Sequence, residues 1–396
     1  MVSLDLEDAP LVCIELWCRA GSGFEGPGES GLAHFLEHMV FKGSTQLGPG
    51  EFDRRIEALG GSSNAATGFD DVHYHLLIPP EAAAEGLTLL LDLVLAPQLA
   101  AAEFELERQV VLEELAQSED QPDEVALQQL LRLGCAPHPY GEPILGHRQQ
   151  LLEHSVAGMR DFHRRLYGAN RCVLAITGAL DAAGLEAPLS TCQLTRLAAL
   201  TEPPAVPRLA LQPGFQRVHL PRLESARLLM AWGMPPAGDL HGVMGADLIT
   251  SLLAEGRRSR LVDRLREQLR LVESVDLDLH VMEGGSLALL EAICEPEDLP
   301  AVRQEIAAVL QQLAEEGSSD PEWQRCRNLV ANGYRFSLES PAGVAGCLAS
   351  QALWQRSLPL DAPLRALEGW KPDRLLREML PQLHPDRAAV VEALPA

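Results

Sequence analysis

The sequence predicts an α+β protein made of two related units, and three observations lead to this prediction. The chain has 396 residues, which is too long for one ordinary hydrophobic core. The same order of strand and helix patterns occurs twice along it. A proline-rich stretch, residues 201–207, lies between the two copies and is typical of a linker. We therefore expect domains at 1–200 and 208–396, joined by this linker.

Hydrophobic periodicity predicts the elements of each copy. Each copy begins with a strand and a helix, continues with further strands, and ends with two long helices. The first copy has a strand at 11–17, a helix at 29–43, a strand at 72–79, a helix at 80–95 and a helix that begins at Glu103. The second copy has a strand at 227–234, a helix at 239–255, strands at 275–282 and 286–294, a helix at 298–315 and a helix that begins at Glu322.

Composition and charge exclude several classes of function. A net charge of -24 disfavours binding to nucleic acid or to anionic membranes. No apolar run reaches the roughly 18 residues that a membrane span needs. The start of the chain lacks the features of a signal peptide. The eight cysteines form no C-x-x-C pair, so we expect reduced core thiols. We expect a cytoplasmic protein.

The strongest chemical signal is the sequence His34-Phe35-Leu36-Glu37-His38. On a helix, side chains four residues apart lie on the same face, one turn apart. Two imidazoles at this spacing can bind one zinc ion, and Glu37 lies beside them. The order H-x-x-E-H is a known signature of zinc hydrolases.

Tetrahedral zinc with two histidines and a water needs one more protein ligand. The helix predicted to begin at Glu103 offers three candidates, Glu107, Glu113 and Glu114. Glu107 and Glu114 are two turns apart and share a face, whereas Glu113 is turned about 100° from Glu114. Spacing alone leaves the choice among these carboxylates open.

Several segments around this motif resemble one known family. Glu114 falls 76 residues after His38, and Glu107-Arg108 opens a helix of the form E-R-x-V-x-x-E-E. The stretches 21–25, 41–45 and 60–65 resemble motifs of the same family. On these residues the chain resembles the pitrilysin/insulinase family of zinc metallopeptidases, which includes the mitochondrial processing peptidases.

The resemblance implies a set of site residues. His34, His38 and Glu114 would bind one zinc ion, Glu37 would be the general base, and Glu107 would be a supporting carboxylate that does not bind the metal. Asn64 and Ala65 would contact a peptide substrate, which this family pairs with an edge strand.

The resemblance also implies a fold. Each domain would be a mostly antiparallel sheet packed by helices, and the two would close like a clamshell. The family has one more strand before 9–17, for which residues 1–8 leave little room.

The second copy does not repeat the metal motif. The positions that match Glu107 and Glu114 fall at about Cys326 and Gly333. Family members carry a stretch like R-E-K-x-G-L-x-Y in this copy. Here Arg266 is kept and, by the resemblance, would bind the substrate, but Glu273 stands in the place of the tyrosine. An ionised carboxylate would repel the substrate oxygen to which a phenol donates.

These observations predict a zinc metalloendopeptidase that cleaves short or unfolded polypeptides. The alternative is a zinc-bearing or non-catalytic subunit of a heterodimeric processing peptidase, whose partner supplies the Arg/Tyr pair. We expect a homo- or heterodimer with a homologous chain, and no nucleic acid or membrane partner.

Overall fold

A computed structural model describes residues 1–191, 194, 197–201 and 205–396. It divides the chain into two compact units, and neither unit is continuous in sequence. The first unit contains Met1–Ala116, Pro143–Ala205 and Phe336–Leu360, and the second contains Gln117–Glu142, Val206–Arg335 and Asp361–Ala396. Each unit therefore contains one segment from the other half of the chain, which differs from the predicted continuous domains at 1–200 and 208–396. Cys192 and linker residues 202–204 lie outside the described residues.

The first unit is built on a five-stranded sheet in the order β1-β5-β2-β4-β3. Its strands are β1 Val2–Asp5, β2 Val12–Cys18, β3 Ser62–Thr67, β4 Val72–Ile78 and β5 Cys172–Gly178. β1 runs parallel to β5, and the other pairs are antiparallel. The short segment before residue 9 therefore does form a strand, contrary to the expectation that little room was left for one.

The second unit repeats this sheet in the order β6-β10-β7-β9-β8. Its strands are β6 Gly214–Leu220, β7 Ala226–Met234, β8 Ser274–His280, β9 Ser286–Cys294 and β10 Ala389–Pro395. Again the outer pair, β6 and β10, is parallel and the rest are antiparallel. The prediction of two related α+β units with mostly antiparallel sheets is confirmed.

Helices pack on both sheets. In chain order they are α1 Leu32–Val40, α2 Glu51–Ala58, α3 Ala83–Leu95, α4 Ala101–Glu119, α5 Pro122–Cys135, α6 Arg148–Glu153, α7 Val156–Leu166, α8 Ala182–Thr191, α9 Leu240–Ala254, α10 Leu299–Glu316, α11 Asp320–Ser337, α12 Pro341–Leu353, α13 Ala362–Glu368 and α14 Pro372–Glu378. In the described part of the chain, no helix has the length and apolarity needed to cross a membrane.

Strand alternation gives each sheet two buried faces. On β2, the side chains of Val12, Ile14, Leu16 and Cys18 join α1 and α3 in the main core of the first unit. The intervening residues point to the opposite face, because successive side chains on a strand alternate. There Cys13 and Ala175 pack against Ala345 and Ala349 of α12.

The exchanged segments explain why the units are not continuous. α12, from the second half of the chain, covers the outer face of the first sheet through small side chains that allow a close approach. α5, from the first half, covers the equivalent face of the second sheet, where Ala126 and Leu130 pack against Ala231 and Val391. Burying an apolar sheet face is favourable, so each half of the chain supplies a helix that the other sheet needs.

Candidate metal centre

The two histidines of the motif lie on α1, as predicted. They are one turn apart, with ring centroids 4.7 Å from each other. His34 is buried, with 8% of its surface exposed, and His38 is partly buried. The helix begins after Gly31, which has a φ of 82° that favours glycine.

α4 brings Glu114 to the two imidazoles. Its Oε1 lies 3.6 Å from Nε2 of His34, and its Oε2 lies 3.3 Å from Nε2 of His38. The three side chains offer ligand atoms that all lie within 4.8 Å of one another. Spacing had left Glu113 open as a candidate for the third ligand, but its side chain is exposed. Glu114 is the carboxylate that α4 places beside the histidines.

Packing between α1 and α4 fixes this arrangement. Phe35 lies between the two histidines in sequence and points into the core, where its ring packs on Phe104 of α4 with centroids 4.6 Å apart. At the start of α1, Glu25 accepts hydrogen bonds from the backbone N–H groups of Gly31 and Ala33, at 3.0 and 2.8 Å. A carboxylate at a helix N-terminus satisfies otherwise free donors. Glu25 therefore anchors the helix that carries the histidines.

Glu107 orients one of the ligands. Nδ1 of His38 lies 2.9 Å from Oε1 of Glu107, and Oε2 of the same carboxylate lies 2.7 Å from Nζ of Lys42. With Nδ1 donating to the carboxylate, Nε2 of His38 presents its lone pair toward Glu114. A carboxylate that fixes the tautomer of a metal-binding histidine is a common feature of zinc sites.

The donor set fits a zinc ion. Burial and the neighbouring His38 lower the pKa of His34 to about 4, which keeps this imidazole in the neutral form that binds metals. Two imidazole nitrogens and the oxygen pair of one carboxylate face each other at 3.3 and 3.6 Å. Three such ligands with a fourth position left for water describe catalytic zinc sites.

Glu37 lies on the same helix and is held by β3. Its Oε2 accepts a hydrogen bond from the hydroxyl of Thr67. Burial raises the pKa of Glu37, while the Thr67 hydroxyl and the neighbouring His38 oppose that rise. The side chain is thus fixed at the end of the edge strand, close to the metal cluster.

β3 is the edge strand of the first sheet and carries two of the three predicted substrate contacts, Asn64 and Ala65. Asn64 is exposed, and Ala65 is half-buried against the core. The N–H of Ala65 donates to Oδ1 of Asn64 at 2.9 Å. A backbone donor on an edge strand that is satisfied by a local side chain is available for exchange with an added strand.

Arg266 belongs to the second unit, whereas the metal cluster belongs to the first. Arg266 lies in a π-helical turn, Val262–Gln268. Its guanidinium donates twice to Glu267 Oε1, at 3.0 and 2.8 Å. Glu273 is exposed and accepts a hydrogen bond from Ser225 at 3.2 Å.

Sequence reasoning missed three residues around the cluster. Thr67 holds Glu37, Lys42 neutralises Glu107, and Glu25 anchors α1. Lys42 and Glu25 lie within the stretches 41–45 and 21–25, whose similarity to family motifs was the signal that could have found them. Thr67 follows Asn64 by three residues on the same strand and gave no separate signal.

Comparison with known proteins agrees with the fold and with the family that the motifs resemble. The family model described as insulinase (peptidase family M16) matches residues 1–148, and the model described as peptidase M16 inactive domain matches residues 155–330. An uncharacterized zinc protease of Mycobacterium tuberculosis is 29% identical over 90% of this chain and 82% of its own length. The zinc protease PqqE of Helicobacter pylori is 26% identical over 88% of this chain and 80% of its own length.

Solved structures share the fold. A protease from Helicobacter pylori has a TM-score of 0.90 at 23% identity, covering 99% of this chain and 96% of its own. A peptidase M16 inactive domain from Pseudomonas fluorescens has a TM-score of 0.89 at 19% identity, covering 100% of this chain and 95% of its own. The family model and the zinc-protease relatives show that the chain is a zinc metallopeptidase. The chain belongs to the insulinase family, peptidase family M16, and the predicted family and enzyme class are confirmed.

Proposed function

We propose that this chain is an endopeptidase that binds an extended polypeptide along β3 and hydrolyses it beside a single zinc ion held by His34, His38 and Glu114. The observation that carries the proposal is the convergence of two Nε2 atoms from α1 with the Glu114 carboxylate from α4, at 3.3 and 3.6 Å. Zinc bound there would supply Lewis acidity and an activated water.

Glu37 is the general base of this proposal. It follows His34 by three residues and precedes His38 by one, so it borders the cluster on the same helix. The Thr67 hydroxyl holds one of its carboxylate oxygens. Glu37 takes a proton from the attacking water and returns it to the leaving amine, which is general acid–base catalysis by one side chain.

Glu107 and Lys42 hold the site in its working form. Glu107 accepts the Nδ1 proton of His38, and the ammonium of Lys42 keeps the charge of that carboxylate balanced. Both side chains act through His38 and not on the substrate, so they are positioning residues.

The open edge of β3 provides the substrate groove. A peptide added antiparallel to β3 would exchange main-chain hydrogen bonds with it, including one at Ala65, whose N–H is now satisfied by Asn64. Recognition through the backbone selects extended, unfolded chains with little sequence preference. This supports short or unfolded polypeptides as the substrate class.

The test of the proposal is Glu37→Gln, assayed on an unstructured fluorogenic peptide. The amide keeps the size of the side chain but cannot take a proton, so turnover should fall by about 10²–10⁴-fold while zinc content stays unchanged. Glu113→Gln is the matched control, because Glu113 is an exposed glutamate on α4 next to Glu114. Equal turnover of the wild type and Glu37→Gln would refute the mechanism.

A second candidate function is the zinc-bearing subunit of a two-chain processing peptidase. It is favoured by Glu273, which stands where the family stretch has tyrosine, and by Arg266, which is bound to Glu267. A homologous partner would then supply the Arg/Tyr pair. Robust turnover by the purified chain alone would exclude an obligate partner.

Glu273→Tyr separates the two candidates further. If the chain works alone, replacing the carboxylate by a phenol should raise kcat/KM, by about tenfold for one hydrogen bond worth roughly 1.4 kcal/mol. Glu297→Tyr, also at an exposed glutamate of the second unit, should leave kcat/KM unchanged. If a partner supplies the pair, neither variant will change kcat/KM of the isolated chain.

A further inference from the structure

A second cluster of metal-ligand side chains lies in the first unit. Cys13 and Glu15 are two residues apart on β2 and therefore share a face. His75 on β4 is the register partner of Glu15, so it points to the same face. This is the face that α12 covers, opposite to the core that contains α1.

The three ligand atoms form a compact triangle. Sγ of Cys13 lies 3.7 Å from Oε1 of Glu15 and 3.6 Å from Nδ1 of His75, and Nδ1 of His75 lies 3.1 Å from Oε1 of Glu15. Zinc bonds of about 2.3 Å to sulfur and about 2.1 Å to nitrogen and oxygen, at tetrahedral angles, put such atoms about 3.4–3.6 Å apart. The observed triangle thus matches a shared ion to within a few tenths of an ångström.

The surroundings of the triangle are those of a built site. Cys13 is fully buried, and Glu15 is 5% exposed. The indole Nε1 of Trp17 donates to Oε2 of Glu15 at 2.6 Å, which fixes the carboxylate and leaves Oε1 to face Cys13 and His75. Outer hydrogen bonds of this kind orient metal ligands. The His75 side chain is 24% exposed and gives an ion and a water access to the cluster.

Without an ion, the Cys13 thiol and an Nδ1–H of His75 can both donate to Oε1 of Glu15. With both donors directed to Glu15, Nδ1 of His75 and Sγ of Cys13 face each other at 3.6 Å with no hydrogen bond between them. Burying a charged carboxylate with a thiol is costly unless the charge is balanced. One divalent cation would balance the carboxylate and bind all three atoms at once.

We infer that Cys13, Glu15 and His75 form a second divalent-metal site of the zinc class, separate from the peptidase centre. Water occupies its fourth position. Binding releases the thiol proton of Cys13 to solvent, because the thiolate is the ligand. The ion joins β2 to β4 beneath α12, so it stabilises the sheet against whose other face α1 packs.

Cobalt(II) distinguishes the two sites, because only the second contains sulfur. The full chain is stripped of metal with a chelator and titrated with cobalt(II). We expect about two equivalents to bind and a near-ultraviolet thiolate-to-cobalt charge-transfer band to grow with one of them. Cys13→Ala should lose the band and one equivalent. The double variant His34→Ala/His38→Ala should keep the band and lose the other equivalent.

Two further cysteine variants serve as controls. Cys18→Ala tests a neighbouring pair of thiols, Cys18 and Cys172, whose sulfur atoms lie 3.2 Å apart. Cys135→Ala tests a buried thiol in another part of the chain. Both should keep the band and both equivalents. A wild-type chain that binds one equivalent without a sulfur band, or a band that survives Cys13→Ala, would overturn the inference. The wild-type titration tests the inference even if Cys13→Ala does not fold.

Discussion

The two units share one topology but differ in chemistry. Their sheets have the same strand order and the same single parallel pair. In each, the helix that follows the second strand of the unit packs against a long later helix. In the first unit these helices are α1 and α4, and in the second they are α9 and α11. The fold therefore needs this helix pair, whatever the pair carries.

The contact between the paired helices shows what differs. In the first unit, α4 reaches α1 through Glu107 and His38. In the second, Cys326 of α11 donates to the carbonyl of Leu248 on α9 at 3.1 Å. The position matching Glu114 is about Gly333, and a Cβ added there would meet nothing within 4 Å. A thiol and a glycine suffice at the matching positions of the second unit, so packing of the helix pair does not require the charged side chains that the first unit has there.

The largest expected effect comes from removing a histidine on α1. His38→Ala deletes one proposed zinc ligand, so zinc content should fall and peptide hydrolysis should drop by at least about 10³-fold, or roughly 4 kcal/mol. The counterpart is His241→Ala on α9, where the imidazole stacks on Trp370 at 4.5 Å between centroids. That variant should keep its zinc. If His241→Ala lost its zinc and His38→Ala kept it, the predicted difference between the two units would be wrong.

The second-largest expected effect is a change in stability on replacing Asp247 of α9. Burial, and next the charge of Glu255, raise the pKa of Asp247 to about 6. An acid whose pKa is raised by folding costs little stability below its unfolded pKa of about 4, and its full cost applies above the folded pKa. Asp247→Asn should therefore raise the free energy of unfolding by about 3 kcal/mol at pH 8, and by about half that at pH 5.

Urea unfolding at the two pH values measures this difference. Glu316→Gln on the exposed side of α10 is the control, and no comparable gain is expected from it. If Asp247→Asn gains more at pH 5 than at pH 8, the sign is wrong and burial does not disfavour the charge at this position.

A smaller effect is expected from replacing the side chains that join the paired helices, Glu107 in the first unit and Cys326 in the second. Glu107→Gln keeps an acceptor for His38 but removes the charge paired with Lys42, so zinc affinity should fall by about 10–100-fold. Cys326→Ala removes the equivalent contact of the second unit and should lower stability without changing zinc affinity. A competition titration with a chromophoric chelator measures the affinity. Equal losses of affinity in both variants would contradict a special role for Glu107.

The smallest effect is at Arg270, four residues after Arg266. Its φ is 54°, in the left-handed region where the family stretch has glycine. Arg270→Gly should stabilise the chain by about 1 kcal/mol, since the strain of a non-glycine residue slightly exceeds the entropy cost of glycine. Arg270→Ala keeps the Cβ and should show no gain. Thermal unfolding of both variants measures the difference, and a gain in Arg270→Ala would attribute the effect to loss of the arginine side chain instead.

Local patterns allowed much of the fold to be predicted. The strand at 286–294 matches β9, and the strand at 227–234 matches β7 to within a residue. Alternation along a strand and the 3.6-residue helical repeat are properties of neighbouring residues. The prediction of continuous domains failed to anticipate the exchange of α5 and α12, because nothing local to a helix states which sheet it will cover.

The sequence by itself determined the pair of histidines on one helix face, the acidic residue between them and the duplication of the fold, because each depends on spacing within a short segment. Spacing did not decide that Glu114 and not Glu113 meets the imidazoles; the resemblance implied it and the tertiary structure places it there. Only the tertiary structure decided that Thr67 and Lys42 hold their neighbours and that Cys13, Glu15 and His75 form a triangle. Those pairings join residues far apart in the chain, and they are fixed by how apolar faces pack, which periodicity does not encode.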